Sequence, residues 1–463
     1  MDSGIQHNQN FEIFSEDDVN ILIEKPSMRF YLIHDKELFC RMNAHLNGTY
    51  DQEISEILKK STTNPVEKSM IETPQEAVPE NFTIKRLALV LTSDCNLRCK
   101  YCYADCGIYS FVTRTVMKND SLQSILDYFL TSFKNVETIQ FFGGEPSLGV
   151  KQIEFSVNYI NNYCKKNPDY IKPRYGIVTN GYALSSKLLD IFEQNDFTVT
   201  LSLDGPINVN DALRIGTQGK GSYKRIVESY RKVKDRQLAN VGFEGTYSNE
   251  HLIQKMSLVE LVQFFGSEFG VNIPHIAPVQ FEESNLLDLY NNLDLYKKYL
   301  TDLVDYTFEC ILNEEDIKTT VITLGIMKSV IERKFTDIIC PAGVGTLSIA
   351  EDLVVQPCFM YTASRGSKLG EVGDDPQTMV DSILEFTNNK NSKAKYAACQ
   401  QCVAKEICSS CLGTFDIEKQ KKQVDMTCVT IITTLKRVLY QFDKVQSDPE
   451  QWSKLDKQLS LVG

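Results

Sequence analysis

The stretch LALVLTSDCNLRCKYCYADCG, residues 87–107, decides how this chain is read. Its first six residues, LALVLT (87–92), form a continuous apolar run, the pattern of a parallel strand buried on both faces. Immediately after it come Cys95, Cys99, Cys102 and Cys106. A buried strand that opens into a thiol-rich loop points to an α/β fold whose chemistry sits at the C-terminal ends of its strands.

Working outward, the same strand pattern returns at TIQFF (138–142), YGIVT (175–179), TVTLSL (198–203), NVGFEGTY (240–247) and NIPHIAPV (272–279). Helical segments separate these runs. One, at about 120–134, turns Leu122, Ile125, Leu126, Phe129, Leu130 and Phe133 to one face, and Asp120 or Ser121 is placed to cap it. Six strands with intervening helices predict a parallel sheet curled into a partial (β/α)6 TIM-like barrel. Unusual residues follow each strand: Gly143, Gly144 and Glu145 after the second, Asn180 after the third, Ser202 and Asp204 around the end of the fourth.

The spacing of Cys95, Cys99 and Cys102 is C-x3-C-x2-C, which suits an iron–sulfur cluster. A tetrahedral zinc site would want a fourth Cys or His at regular spacing. Composition supports resident thiols. Fourteen cysteines in a chain of 463 residues, with no apolar run long enough to span a bilayer and no signal-peptide pattern in MDSGIQHNQN, predict a cytoplasmic protein in which cysteines are ligands rather than disulfides. The net charge of −12 argues against nucleic acid as a partner. Residues 1–80 hold fifteen Asp/Glu against seven Lys/Arg, a net −8.

The first loop resembles the signature of the radical S-adenosylmethionine (SAM) superfamily, C-x3-C-x-Φ-C, with Tyr101 as the aromatic residue. The resemblance implies that Cys95, Cys99 and Cys102 bind one [4Fe-4S] cluster and that its fourth iron chelates SAM. One electron then cleaves SAM to a 5′-deoxyadenosyl radical, which takes a hydrogen atom from the substrate. By that reading Cys106 is not a ligand. Gly143-Gly144-Glu145 matches the family's GGE motif, whose glycines let the backbone approach SAM and whose Glu145 accepts from the methionine ammonium. Asn180, Ser202, Asp204 and Arg214 complete the expected SAM contacts, Arg214 suiting the carboxylate.

Seven further cysteines lie in the tail: Cys340, Cys358, Cys399, Cys402, Cys408, Cys411 and Cys428. The pattern resembles the SPASM extension, which carries two auxiliary [4Fe-4S] clusters. That implies Cys340, Cys358 and Cys411 for the first and Cys399, Cys402, Cys408 and Cys428 for the second. The gap before Cys411 is x2 where the family usually has x3. The first auxiliary set lacks a fourth ligand, with Cys310, Cys164 or an open iron as alternatives.

Residues 29–58 resemble the winged-helix-like element that binds leader peptides by adding them as an extra strand. The expected division is therefore 1–84 recognition module, 85–310 barrel, 311–335 connecting helix, 336–440 SPASM domain and 441–463 C-terminal helix or tail. The whole resembles sactipeptide and ranthipeptide maturases, which join a cysteine sulfur to a carbon of another residue in a ribosomally made precursor peptide. Such enzymes imply a low-potential donor, flavodoxin or ferredoxin, and no membrane partner. The alternatives are an anaerobic sulfatase-type maturase that makes formylglycine, a quinohaemoprotein-subunit cross-linking enzyme, and a zinc-stabilised adaptor. His275 is the one histidine expected near the active-site face, and Cys40 is expected to be buried.

Overall fold

The computed structural model describes residues 10–17, 19–61, 69–71, 77–109, 111, 113–238, 240–281, 285–362, 367–413 and 425–461. Six parallel strands form the centre: β4 (Leu87–Val90), β5 (Thr138–Phe142), β6 (Arg174–Thr179), β7 (Phe197–Ser202), β8 (Asn240–Tyr247) and β9 (His275–Pro278). Each pairs with the next in the chain, as expected of repeated right-handed crossovers. The β4 side continues through β10 (Leu347–Ile349), β11 (Val354–Gln356) and β12 (Gly370–Glu371), giving a nine-stranded sheet open at both edges. The tail therefore shares the barrel's sheet: β10 runs parallel to β4, and β11 returns antiparallel.

Period-two alternation sorts the strand residues into two sets. Leu89, Phe141, Ile177, Leu201 and Phe243 are buried in the main core. Ser202, Glu244 and His275 lie opposite one another across β7, β8 and β9 and share the other face. His275 opens its strand and is exposed.

The N-terminal module is an antiparallel sheet, β1 (Phe11–Glu16), β2 (Val19–Glu24) and β3 (Arg29–Leu32), followed by helices α1 (Lys36–Leu46) and α2 (Gln52–Ser61). Phe11, Leu22, Ile33, Met42, Ile54 and Leu58 form its own small core. Ile23 and Met28 pack elsewhere, in the cluster that holds Val403, Ala404 and Ile407 of the tail. The sheet is thus pinned on both sides. Arg437 of α7 (Met426–Gln446) pairs with Asp17 and Asp305, which ties module, tail and helix α5 (Leu293–Leu312) together. Among the described residues no helix is long and apolar enough to cross a membrane.

Three expectations need correction. Neither Asp120 nor Ser121 caps α3 (Asn119–Ser132); the N-cap is Lys118, whose N–H donates to Glu351 Oε2 at 2.9 Å from the β10–β11 turn. Cys40 is exposed, because α1 turns the row Leu38, Met42 and Leu46 inward and Cys40 falls off that row. The polar, Pro-containing stretch 61–81 has the composition of a linker, yet part of it joins a sheet, since Ser69–Ile71 pairs with Lys334–Thr336; 62–68 and 72–76 lie outside the described residues.

Candidate active site at the strand ends

The loop after β4 is held from two sides. On one side Gly144 N donates to Thr92 O and Glu145 N to Asp94 O, both at 2.8 Å. A Cβ at Gly144 would stand 2.2 Å from Asp94 O, and one at Gly143 2.7 Å from Thr92 O. Only glycine permits that approach. The missing Cβ atoms of these glycines make room for the cysteine loop itself. On the other side, Arg98 N donates to Ile215 O at 2.6 Å and Lys100 N to Leu213 O at 3.0 Å. This pairing carries Arg214 to the cysteines.

Cys95, Cys99 and Cys102 come together at this point. Burial, with Glu145 adding to it, pushes the Cys95 thiol up to about 12. Burial also pushes Cys99 to about 12, against the pull of Arg214. Cys102 acts electrostatically on both. Cys106 sits at a left-handed backbone position (φ 54°), its carbonyl accepting from Arg114 and its thiol acted on by Cys102. Asn180 Nδ2 reaches Asn96 Oδ1 at 2.8 Å and Cys95 Sγ at 3.6 Å.

Glu145 is buried and already accepts three hydrogen bonds: Ser147 N at 2.9 Å, Thr179 Oγ1 at 2.5 Å and Asn180 N at 2.7 Å. Burial still raises its pKa. The Ser147 hydroxyl also acts on this carboxylate. Asp204, fully buried, accepts from Tyr101 OH at 2.5 Å and Thr246 N at 3.0 Å, and its Oδ1 lies 3.0 Å from Arg214 Nε as an ion pair. Arg214 is thus not a free cation awaiting a ligand but half of a buried ion pair, with its guanidinium 5.6 Å from the Tyr101 ring. Ser202 Oγ lies 3.3 Å from Glu244 Oε1.

Two residues here escaped sequence reasoning. Glu244 sits beside Ser202, and only strand register reveals it. His251 is fully buried; its Nδ1 accepts from Ser248 N, so Nε2 donates to Asp204 O at 2.8 Å and fixes the turn.

In the tail, Cys340, Cys358 and Cys411 influence one another, and the Tyr361 phenol feels all three. Neither alternative fourth ligand joins them. Cys164 lies among Tyr163, Tyr170, Tyr175 and Lys172, and Cys310 beside Tyr306. Buried Asn391 clamps the Cys340 loop, accepting from Cys340 N and donating to Cys340 O and Ala342 O. Cys399, Cys402, Cys408 and Cys428 form a second mutually influencing set. Asp425 caps α7 by accepting from Cys428 N at 3.0 Å. Among the described residues no three His, Cys, Asp or Glu side chains converge on a single-ion site.

Residues 89–258 match the profile of the Radical SAM superfamily, so this chain carries a radical SAM domain, which in that enzyme family goes with a four-iron four-sulfur cluster and SAM. The chain is 26% identical over 349 residues to the radical SAM cyclopropyl synthase TigE of Paramaledivibacter caminithermalis, covering 71% of this chain and 67% of that protein. It is 32% identical over 241 residues to a cysteine-type anaerobic sulfatase-maturating enzyme of Clostridium novyi, covering 50% of this chain and 62% of that protein. Among solved structures, native anSMEcpe with bound AdoMet and the Cp18Cys peptide superposes with a TM-score of 0.64 at 18% identity, covering 79% of this chain and 99% of that one. The last likeness concerns the fold.

Proposed function

We propose that this chain is a radical SAM maturase that installs thioether cross-links in a ribosomally made precursor peptide. The observation that carries the reading is the joining of a strand-end thiol site to a three-stranded module docked on the cysteine-rich tail. Cys95, Cys99 and Cys102 hold the first [4Fe-4S] cluster. Bound there, it supplies the electron that cleaves SAM to methionine and a hydrogen-abstracting 5′-deoxyadenosyl radical. Glu145 takes the methionine ammonium. Asp204 holds Arg214 through Nε, which orients the two terminal guanidinium nitrogens toward the methionine carboxylate. Ser202 and Glu244 face the ribose side, and Asn180 and Tyr101 fix the loop.

Cys340, Cys358 and Cys411 would hold the first auxiliary cluster. Cys399, Cys402, Cys408 and Cys428 hold the second. The module of β1–β3, α1 and α2 binds the leader as an added strand, and a flavodoxin or ferredoxin supplies electrons. A second reading, oxidation of a protein cysteine or serine to formylglycine, is favoured by the similarity to the sulfatase-maturating enzyme.

Anaerobic incubation with SAM, dithionite and a cysteine-containing precursor peptide, followed by mass spectrometry with thiol capping, separates the two. Paired hydrogen loss with matching loss of cappable thiols supports thioether formation. An unchanged peptide with SAM still cleaved supports the sulfatase-type reading.

A further inference from the structure

Two lysines are buried against the second thiol set of the tail. Lys393 is 2% exposed, and its Nζ donates to Thr336 O at 2.7 Å and Lys405 O at 2.6 Å. Lys25 is 8% exposed and belongs to the turn between β2 and β3 of the N-terminal module. Its Nζ donates to Gln401 O at 2.9 Å, one residue before Cys402. Carbonyls satisfy the N–H groups but not the charge, and a buried ammonium needs a compensating anion. The anionic groups that act on Lys25 are Glu12 and Cys402, with Lys405 opposing. Those that act on Lys393 are Cys408, Glu406, Cys399 and Asp337. Carboxylates therefore supply part of the compensation, and three cysteines of one site supply the rest once they are deprotonated as cluster ligands.

Four thiolate ligands give such a site a net negative charge, and one-electron reduction adds another negative unit with no proton transferred. A fixed cation nearby favours the reduced form and raises the potential. We propose that Lys25 and Lys393 set the potential of the cluster held by Cys399, Cys402, Cys408 and Cys428. Because Lys25 belongs to the peptide-binding module, the seating of that module on the tail is part of what sets it. The inference rests on the second auxiliary cluster of the proposed function.

The test is an anaerobic redox titration of the full chain, loaded with iron and sulfide and reduced stepwise with dithionite, with each cluster followed by electron paramagnetic resonance. K25Q keeps a donor toward Gln401 O but loses the charge; K25R keeps the charge. In K25Q the second auxiliary signal is expected to shift so that its reduced-to-oxidised ratio falls about tenfold at a given potential, which is 59 mV for one electron. K25R should stay at the wild-type value, and the other two clusters should not move in either variant. K393Q is expected to shift the same signal in the same direction. Should K393Q fail to load iron, the K25Q and K25R pair decides alone. A K25Q potential equal to wild type, with the signal intact, overturns the inference and leaves the proposed function standing. A wild-type chain with only one auxiliary signal overturns the reading on which the inference rests, and the inference with it.

Discussion

The thiols at 95–102 and those at 399–428 are built in opposite ways. The first set is one short loop at the end of one strand, and its supports come from the adjoining strand ends: Glu145, Asn180 and Asp204. The second set gathers a short helix, a loop and the first turn of α7, and it takes Lys25 from nearly 380 residues away, a separation of 376 from its acceptor Gln401. A site closed by the sheet inherits its geometry from β pairing. A site closed by distant elements depends on how separate units dock. Changes near the first should therefore act on SAM chemistry directly, and changes near the second should leave SAM cleavage standing.

The largest effect is expected from C99A. It should remove about four irons per chain and abolish SAM cleavage, measured by iron content and by 5′-deoxyadenosine formation. Next, D204N would remove the buried charge that pairs with Arg214 and replace the oxygen that accepts from Tyr101 with an amide donor. Breaking a buried pair costs about 3–5 kcal/mol, so thermal unfolding should occur well below wild type and SAM affinity should drop. N391A leaves Cys340 O and Ala342 O without their donor, at roughly 1–3 kcal/mol for each unpaired group. Its expected result sharpens the contrast: iron lost from the tail, peptide modification lost, and SAM still cleaved. If N391A also stopped SAM cleavage, the two regions would not be separable.

The smallest effect is expected from E351A. Loss of a helix cap costs about 1 kcal/mol, and the change should appear as a lower denaturation midpoint with SAM cleavage unchanged. It tests whether the tail hairpin stabilises the barrel through α3, where a sequence reading looks only to Asp120 or Ser121.

Much of the fold could be read along the chain. The six barrel strands appear as apolar runs, and each lies where its run predicted to within three residues at either end. Short β-like runs at 11–14, 20–24 and 29–33, followed by helical patterns at 37–46 and 51–60, mark the N-terminal module in the same way. Cys95, Cys99, Cys102 and the Gly143-Gly144-Glu145 motif are local patterns, so spacing revealed them. Glu244, His251, Asn391, Lys25 and Lys393 carry no local signal, since each matters through a partner remote in sequence. The same limit explains Arg214, whose residue type suggested a ligand contact while its pairing with Asp204 belongs to the folded chain.

The sequence by itself determined the order of strands and helices and the gathering of thiols into two cysteine-rich segments, because burial periodicity and thiol spacing are properties of neighbouring residues. Only the tertiary structure decided that the tail extends the barrel's own sheet, that Gly144 yields to the Asp94 carbonyl, and that Lys25 reaches the Cys402 loop. Those contacts depend on which surfaces meet when separate elements bury their apolar faces together, and no local pattern encodes that choice of partner.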